Sequence, residues 1–139
     1  MVTSAGALVE GLKSLGAKKI ALLTPYMKPL TAVVVDYIEH QGVEVLDALS
    51  LEIQDNLAVG AQDPTAPIEI SRRLNTANCD AVVISACVQM PSLEAIDLIQ
   101  AECGIPVTSA AVCTTYEMMK KLGIEAKSAI GGELLSGKY

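Results

Sequence analysis

The sequence predicts an α/β fold: a doubly wound, mostly parallel four-stranded sheet with flanking helices. Three observations carry this expectation. Short apolar runs alternate with helix-length amphipathic segments, and most connections between them are short. The chain has no Trp and no Phe, so its core is built from Val, Ile, Leu, Ala and Met. Such a core suits helices packed on parallel strands better than an aromatic-rich all-β interior. At 139 residues, 51% hydrophobic and 19% charged, the chain is the size of a single folded domain rather than a disordered segment.

The candidate strands are residues 19–24, 44–51, 81–85 and 105–108. Ile20-Ala21-Leu22-Leu23 and Ala81-Val82-Val83-Ile84 lack polar alternation, as expected of strands covered on both faces. The candidate helices are 4–15, 29–41, 68–77, 91–103 and 109–122. The first places Ala5, Leu8, Leu12 and Leu15 on one face. The fourth opens with Pro91 and stops at Gly104, the usual asymmetry of helix ends.

Sheets of this class bind ligands beyond the carboxyl ends of their strands. Tyr26 follows the first strand, Asp55-Asn56 open a long loop after the second, Cys87 follows the third, and Thr108-Ser109 close the fourth. This rim offers a phenol, a carboxamide, a thiol and hydroxyls, with no Lys, Arg or His. A thiol between a buried strand and a helix N-terminus is placed to become a thiolate, and a packed strand-end cysteine would look the same. Tyr26 is either a donor to a carboxylate or a half-buried tyrosine capping the core. Asn56 is either an anion donor or turn chemistry. Ser109 suits a helix N-cap, and Gly131-Gly132 suit a terminal turn.

The net charge of −6 argues against a nucleic-acid partner, and an anionic ligand has to be held by local donors. Cys79, Cys87, Cys103 and Cys113 form no CxxC, and His40 is the only histidine, so no metal site is expected. Cys79, Cys103 and Cys113 read as small core residues. With no basic-then-apolar leader and no apolar run long enough to span a membrane, the expectation is a cytoplasmic protein with reduced thiols and no membrane partner.

Four stretches carry more than periodicity. They are Thr3-Ser4-Ala5-Gly6-Ala7-Leu8-Val9-Glu10, Thr24-Pro25-Tyr26-Met27-Lys28-Pro29-Leu30-Thr31, Asp55-Asn56-Leu57-Ala58-Val59 and Ser85-Ala86-Cys87-Val88-Gln89-Met90-Pro91-Ser92-Leu93. With the closing Leu134-Leu135-Ser136-Gly137-Lys138-Tyr139, they resemble the maleate cis-trans isomerase family of the aspartate/glutamate racemase superfamily. The resemblance implies a cofactor-independent isomerase of a small dicarboxylate, working through two cysteines from two pseudo-symmetric α/β halves. It makes Cys87 the second-half catalytic cysteine, gives Tyr26 and Asn56 to the substrate carboxylates, and makes the Val88 amide an oxyanion donor. It also implies that this chain corresponds to the C-terminal half and that residues 109–139 can belong to the other domain in longer relatives; a half-protein of this kind is expected to expose an apolar patch and to form a homo-oligomer. A racemase or decarboxylase of another small carboxylic acid, or a non-catalytic oligomerising half-domain, stay open beside it.

Overall fold

The computed structural model describes residues 3–53, 61, 66–84, 92–128 and 130–138. Helix α1 (Ser4–Ser14) starts behind Thr3, whose hydroxyl accepts the Gly6 N–H at 3.1 Å. It buries Ala7, Leu8 and Leu12 and leads into β1 (Lys19–Thr24). From Ile20 onward β1 is wholly buried, because it lies inside the sheet. Helix α2 (Lys28–His40) carries Pro29 in its first turn, where a missing N–H costs nothing. Strand β2 (Glu44–Ser50) alternates exposed and half-buried residues, the pattern of an edge.

The remaining elements are α3 (Ala66–Ser71), β3 (Ala81–Val83), α4 (Leu93–Cys103), β4 (Val107–Thr108) and α5 (Ala110–Lys121), followed by a 3₁₀ turn (Glu133–Leu135). The strand order is β2-β1-β3-β4, and every described pairing between strands is parallel. The doubly wound parallel sheet expected from the sequence is therefore the fold observed. The step from β1 to β2 runs opposite to the steps that lead on to β3 and β4. Right-handed crossovers then place α2 on one face and α3 with α4 on the other. Accordingly α3 packs on α4, α1 runs along α5, and α1 meets α2. Asp80 ties the sheet's lower edge together, its carboxylate accepting the Lys18 and Lys19 N–H groups at 3.0 and 3.1 Å.

One helix differs from its sequence expectation. The segment expected over 68–77 is helical only through Ser71, and it begins at Ala66. Beyond it Arg72, Arg73 and Leu74 donate to carbonyls three residues back. The Asn75 N–H is taken by the Asp47 carboxylate at 2.8 Å, and the Asn75 side chain accepts from the Ala77 N–H. These side-chain acceptors outcompete the next helical turn. The fourth strand is also shorter than expected, starting at Val107 rather than residue 105.

The C-terminal segment docks on α4 and β4 through Gly131-Gly132, both at positive φ. The Gly132 N–H donates to the Asp97 carboxylate at 3.0 Å, and a Cβ at this position would run into the Val107 carbonyl. Next to it the Gln100 carboxamide oxygen accepts from both Glu133 and Val107. The turn read from the two glycines is thus a close-approach joint. Among the described residues no helix is long and apolar enough to cross a membrane.

Candidate active site

Because β1 pairs with β2 on one side and β3 on the other, the strand order reverses at β1. In such sheets the crevice beyond the carboxyl ends at this point is the natural ligand site. Thr24, the last residue of β1, is fully buried, and its hydroxyl lies 2.8 Å from that of Thr31 in the first turn of α2. Ser50, the last residue of β2, donates to the same Thr31 hydroxyl at 2.7 Å. The Tyr26 N–H donates to Thr24 Oγ1 at 3.3 Å.

The backbone continues the pairing past both strand ends. Leu51 donates to the Thr24 carbonyl at 2.9 Å, Ile53 to the Pro25 carbonyl at 2.9 Å, and Glu52 to the Tyr26 carbonyl at 3.1 Å. Glu52 adopts φ 57°, a left-handed conformation that costs a non-glycine residue about 1 kcal/mol or more. The strain sits where the chain enters the loop towards Asn56.

Tyr26 is half-buried at the carboxyl end of β1, packed against the core. With Ser4, Ala5, Leu8, Val33 and Tyr37 it lines a cavity of about 280 Å³ between α1 and α2. Asn56, Cys87 and Val88 lie outside the described residues. Their described flanks are informative. Ile53 is held against the β1 exit, and Ile84, buried, donates its N–H to the Thr108 carbonyl at 3.0 Å. The segment carrying Cys87 therefore leaves from β3, in the middle of the sheet, and returns at Ser92, the N-cap of α4.

In the other three cysteines burial favours the protonated thiol. Burial raises the Cys113 thiol to about 12, partly offset by its contact with the Thr108 hydroxyl at 3.4 Å. Cys79 is raised by burial and then by the Asp47 and Asp80 carboxylates, and its thiol faces the Asn75 carbonyl at 3.7 Å. Cys103 is raised by burial and then by Glu102. High thiol pKa means little thiolate near neutrality. Ser109 caps α5, accepting the Val112 N–H at 3.3 Å, as its position in the sequence suggested.

Reading strand ends in the sequence missed Thr31 and Ser50. Thr31 was hidden by its place inside a helix, although a threonine one turn in from a strand exit is a signal. A second cavity, of about 520 Å³, lies at the β4 end, lined by Ser92, Ser109, Val112, Met119, Ile130 and Leu135. It too was invisible, since it depends on how the C-terminal segment folds back over α5.

Comparison with known proteins agrees with this architecture. The family model described as arylmalonate decarboxylase matches residues 1–135. A maleate isomerase of Geobacillus stearothermophilus is 56% identical over 139 residues, covering 100% of this chain and 55% of that protein. The crystal structure of the maleate isomerase Iso from Pseudomonas putida S16, a cysteine-to-alanine variant with maleate, superposes with a TM-score of 0.97 at 54% identity, covering 99% of this chain and 55% of the other. A Nocardia farcinica maleate cis-trans isomerase, a cysteine-to-serine mutant with a covalently bound succinylcysteine intermediate, gives a TM-score of 0.92 at 42% identity, covering 98% of this chain and 56% of the other. The chain spans about half the length of the curated relatives it matches.

Proposed function

The chain belongs to the arylmalonate decarboxylase family, and on that footing we propose that it supplies one cysteine-bearing half of a cofactor-independent maleate cis-trans isomerase. The observation that carries this is the 56% identity to a maleate isomerase across the whole chain. The Tyr26 phenol at the end of β1 supports it, since neutral donors are what a dicarboxylate needs in a chain of net charge −6.

In this reading a thiolate adds to one alkene carbon of maleate while a proton is delivered to the other. The product is a succinyl-cysteine whose former double bond is single and free to turn. After that turn, loss of the other hydrogen on the protonated carbon with expulsion of the thiolate gives fumarate. Covalent catalysis thus replaces a forbidden rotation by two allowed steps. Cys87 is the proton-handling thiol opposite a second cysteine outside this chain, and residues 109–139 belong to the other domain in longer relatives. Tyr26 and Asn56 hold the substrate carboxylates, and the Val88 N–H faces the developing oxyanion. The working form is a cytoplasmic homo-oligomer.

The test supplies the chain with the part of the Geobacillus relative that it does not match. Fumarate formation from maleate is expected from the combination, and Cys87→Ser lowers it by about 10³-fold or more. The chain alone is expected to show little turnover, since one thiol cannot serve both faces of the alkene. A folded combination that binds maleate yet forms no fumarate would sink the proposal. Release of CO₂ instead would transfer the chain to decarboxylation.

A further inference from the structure

Three hydroxyls meet where β1, β2 and α2 converge, and none of them is a substrate ligand in the reading above. Thr24 ends β1 and is fully buried; Thr31 sits in the first turn of α2 and is 5% exposed; Ser50 ends β2. Thr31 Oγ1 is the hub, 2.8 Å from Thr24 Oγ1 and 2.7 Å from Ser50 Oγ, which donates to it. Thr24 Oγ1 in turn receives the Tyr26 N–H at 3.3 Å. Nothing in strand pairing requires this. Parallel strands β1 and β2 are already in register through Thr24 and Ser50.

What the cluster adds is a link from the sheet edge to the two segments beyond it. Tyr26 is attached through its N–H to Thr24, and Leu51 through its N–H to the Thr24 carbonyl. Glu52 and Ile53 are then attached to Tyr26 and Pro25. The Met27 carbonyl, accepting from Leu30 and Thr31, joins the Tyr26 turn to the start of α2, but none of these bonds fixes the β2 end, which is left free to shift against the helix. The Thr31 hydroxyl removes that freedom, because it belongs to the helix and touches both strand ends. Buried hydroxyl chains of this kind rigidify when every member is satisfied.

We propose that Thr31 is a positioning residue, whose hydroxyl locks the Tyr26 turn and the Leu51–Ile53 segment into one rigid unit and so presets the phenol for a substrate carboxylate. This rests on the isomerase reading for its ligand, but the locking itself does not. A site preset in this way binds without the cost of ordering the loop in each encounter. Thr31 is nearly buried and its hydroxyl is engaged with Thr24 and Ser50, so its removal acts on binding through Tyr26 rather than on proton transfer at Cys87.

The test uses two substitutions. Thr31→Val keeps the shape and deletes the hydroxyl, and Thr31→Ser keeps the hydroxyl and deletes the methyl. Amide exchange followed by NMR on the chain is expected to quicken about tenfold at Tyr26, Leu51 and Ile53 in Thr31→Val, with Leu22 and Val82 unchanged. In the complemented enzyme KM for maleate rises about tenfold in the same variant while kcat changes less. Thr31→Ser restores both. Should Thr31→Val fail to fold, Ser50→Ala removes one arm of the cluster and is expected to move the same three amides by a smaller factor. The proposal is overturned if those amides keep their wild-type rates, if exchange quickens equally through the core, or if Thr31→Ser behaves as Thr31→Val. A complemented wild type without isomerase activity would sink the functional reading alone, and the exchange rates would still decide this one.

Discussion

Two threonines end strands of the same parallel sheet, and the fold treats them oppositely. Thr24 closes β1 and Thr108 closes β4, and both are fully buried. The Thr24 hydroxyl joins a chain of oxygen partners and receives the N–H of Tyr26. Among the described residues the Thr108 hydroxyl meets the Cys113 thiol, at 3.4 Å. A strand-end hydroxyl is therefore not in itself a ligand-facing group. Its role is set by what the next helix brings back: α2 returns a hydroxyl and opens a rim, while α5 returns a thiol and closes a core.

The closed end gives the largest expected effect. Cys113 titrates near 9.0 when unfolded and near 12 in the fold, because burial disfavours its thiolate. Below pH ~9 both states keep the proton, so this group's contribution is fully present. As pH rises through the window from ~9 to ~12, only the unfolded chain releases its proton, and stability falls by about 1.4 kcal/mol per pH unit. Urea unfolding across that range should show the slope, and Cys113→Ala should flatten it. A wild-type slope that persists unchanged in Cys113→Ala would mean that Thr108 and Cys113 do not form a closed end.

The next effect is steric and belongs to the same place. A Cβ on Gly11 would lie 2.6 Å from Cys113 Sγ and 3.1 Å from Leu134 Cδ2, so α1 and α5 approach closely only through this glycine. Gly11→Val is expected to cost about 1–3 kcal/mol by overpacking, read from urea midpoints. Adding Cys113→Ala to it should recover part of the loss, because the two sites share one space. No recovery would show that α1 and α5 yield elsewhere.

These contrasts mark what the sequence could and could not carry. The sheet was legible because Ile20-Ala21-Leu22-Leu23 and Ala81-Val82-Val83-Ile84 are apolar without alternation, and a strand inside a doubly wound sheet has no other pattern. The packing of Cys79, Cys103 and Cys113 in or against the core followed from their positions before a strand, at a helix end and within a helix. Tyr26 was legible as a rim residue because it directly follows a strand. The hydroxyl hub was not, since Thr31 and Ser50 are 19 residues apart and meet only through the β1–α2–β2 crossover. The end of α3 was lost for a similar reason: Asp47, which takes the Asn75 N–H, comes from a distant strand.

The smallest effects test the comparison most directly, because one substitution is made at both ends. Thr24→Val takes a buried oxygen partner from the Thr31 hydroxyl, which keeps only Ser50, and from the Tyr26 N–H, and should cost about 1–3 kcal/mol. Thr108→Val removes a weak contact to sulfur, the one its hydroxyl makes among the described residues, and leaves its carbonyl free to accept from Ile84. Its expected cost is under ~0.5 kcal/mol, since a thiol is a poor partner and valine fills the same space. Maleate binding in the complemented enzyme should weaken for Thr24→Val and stay unchanged for Thr108→Val. Equal costs at the two sites would mean that burial alone governs both threonines, and that the oxygen partners around Thr24 add nothing to the rim.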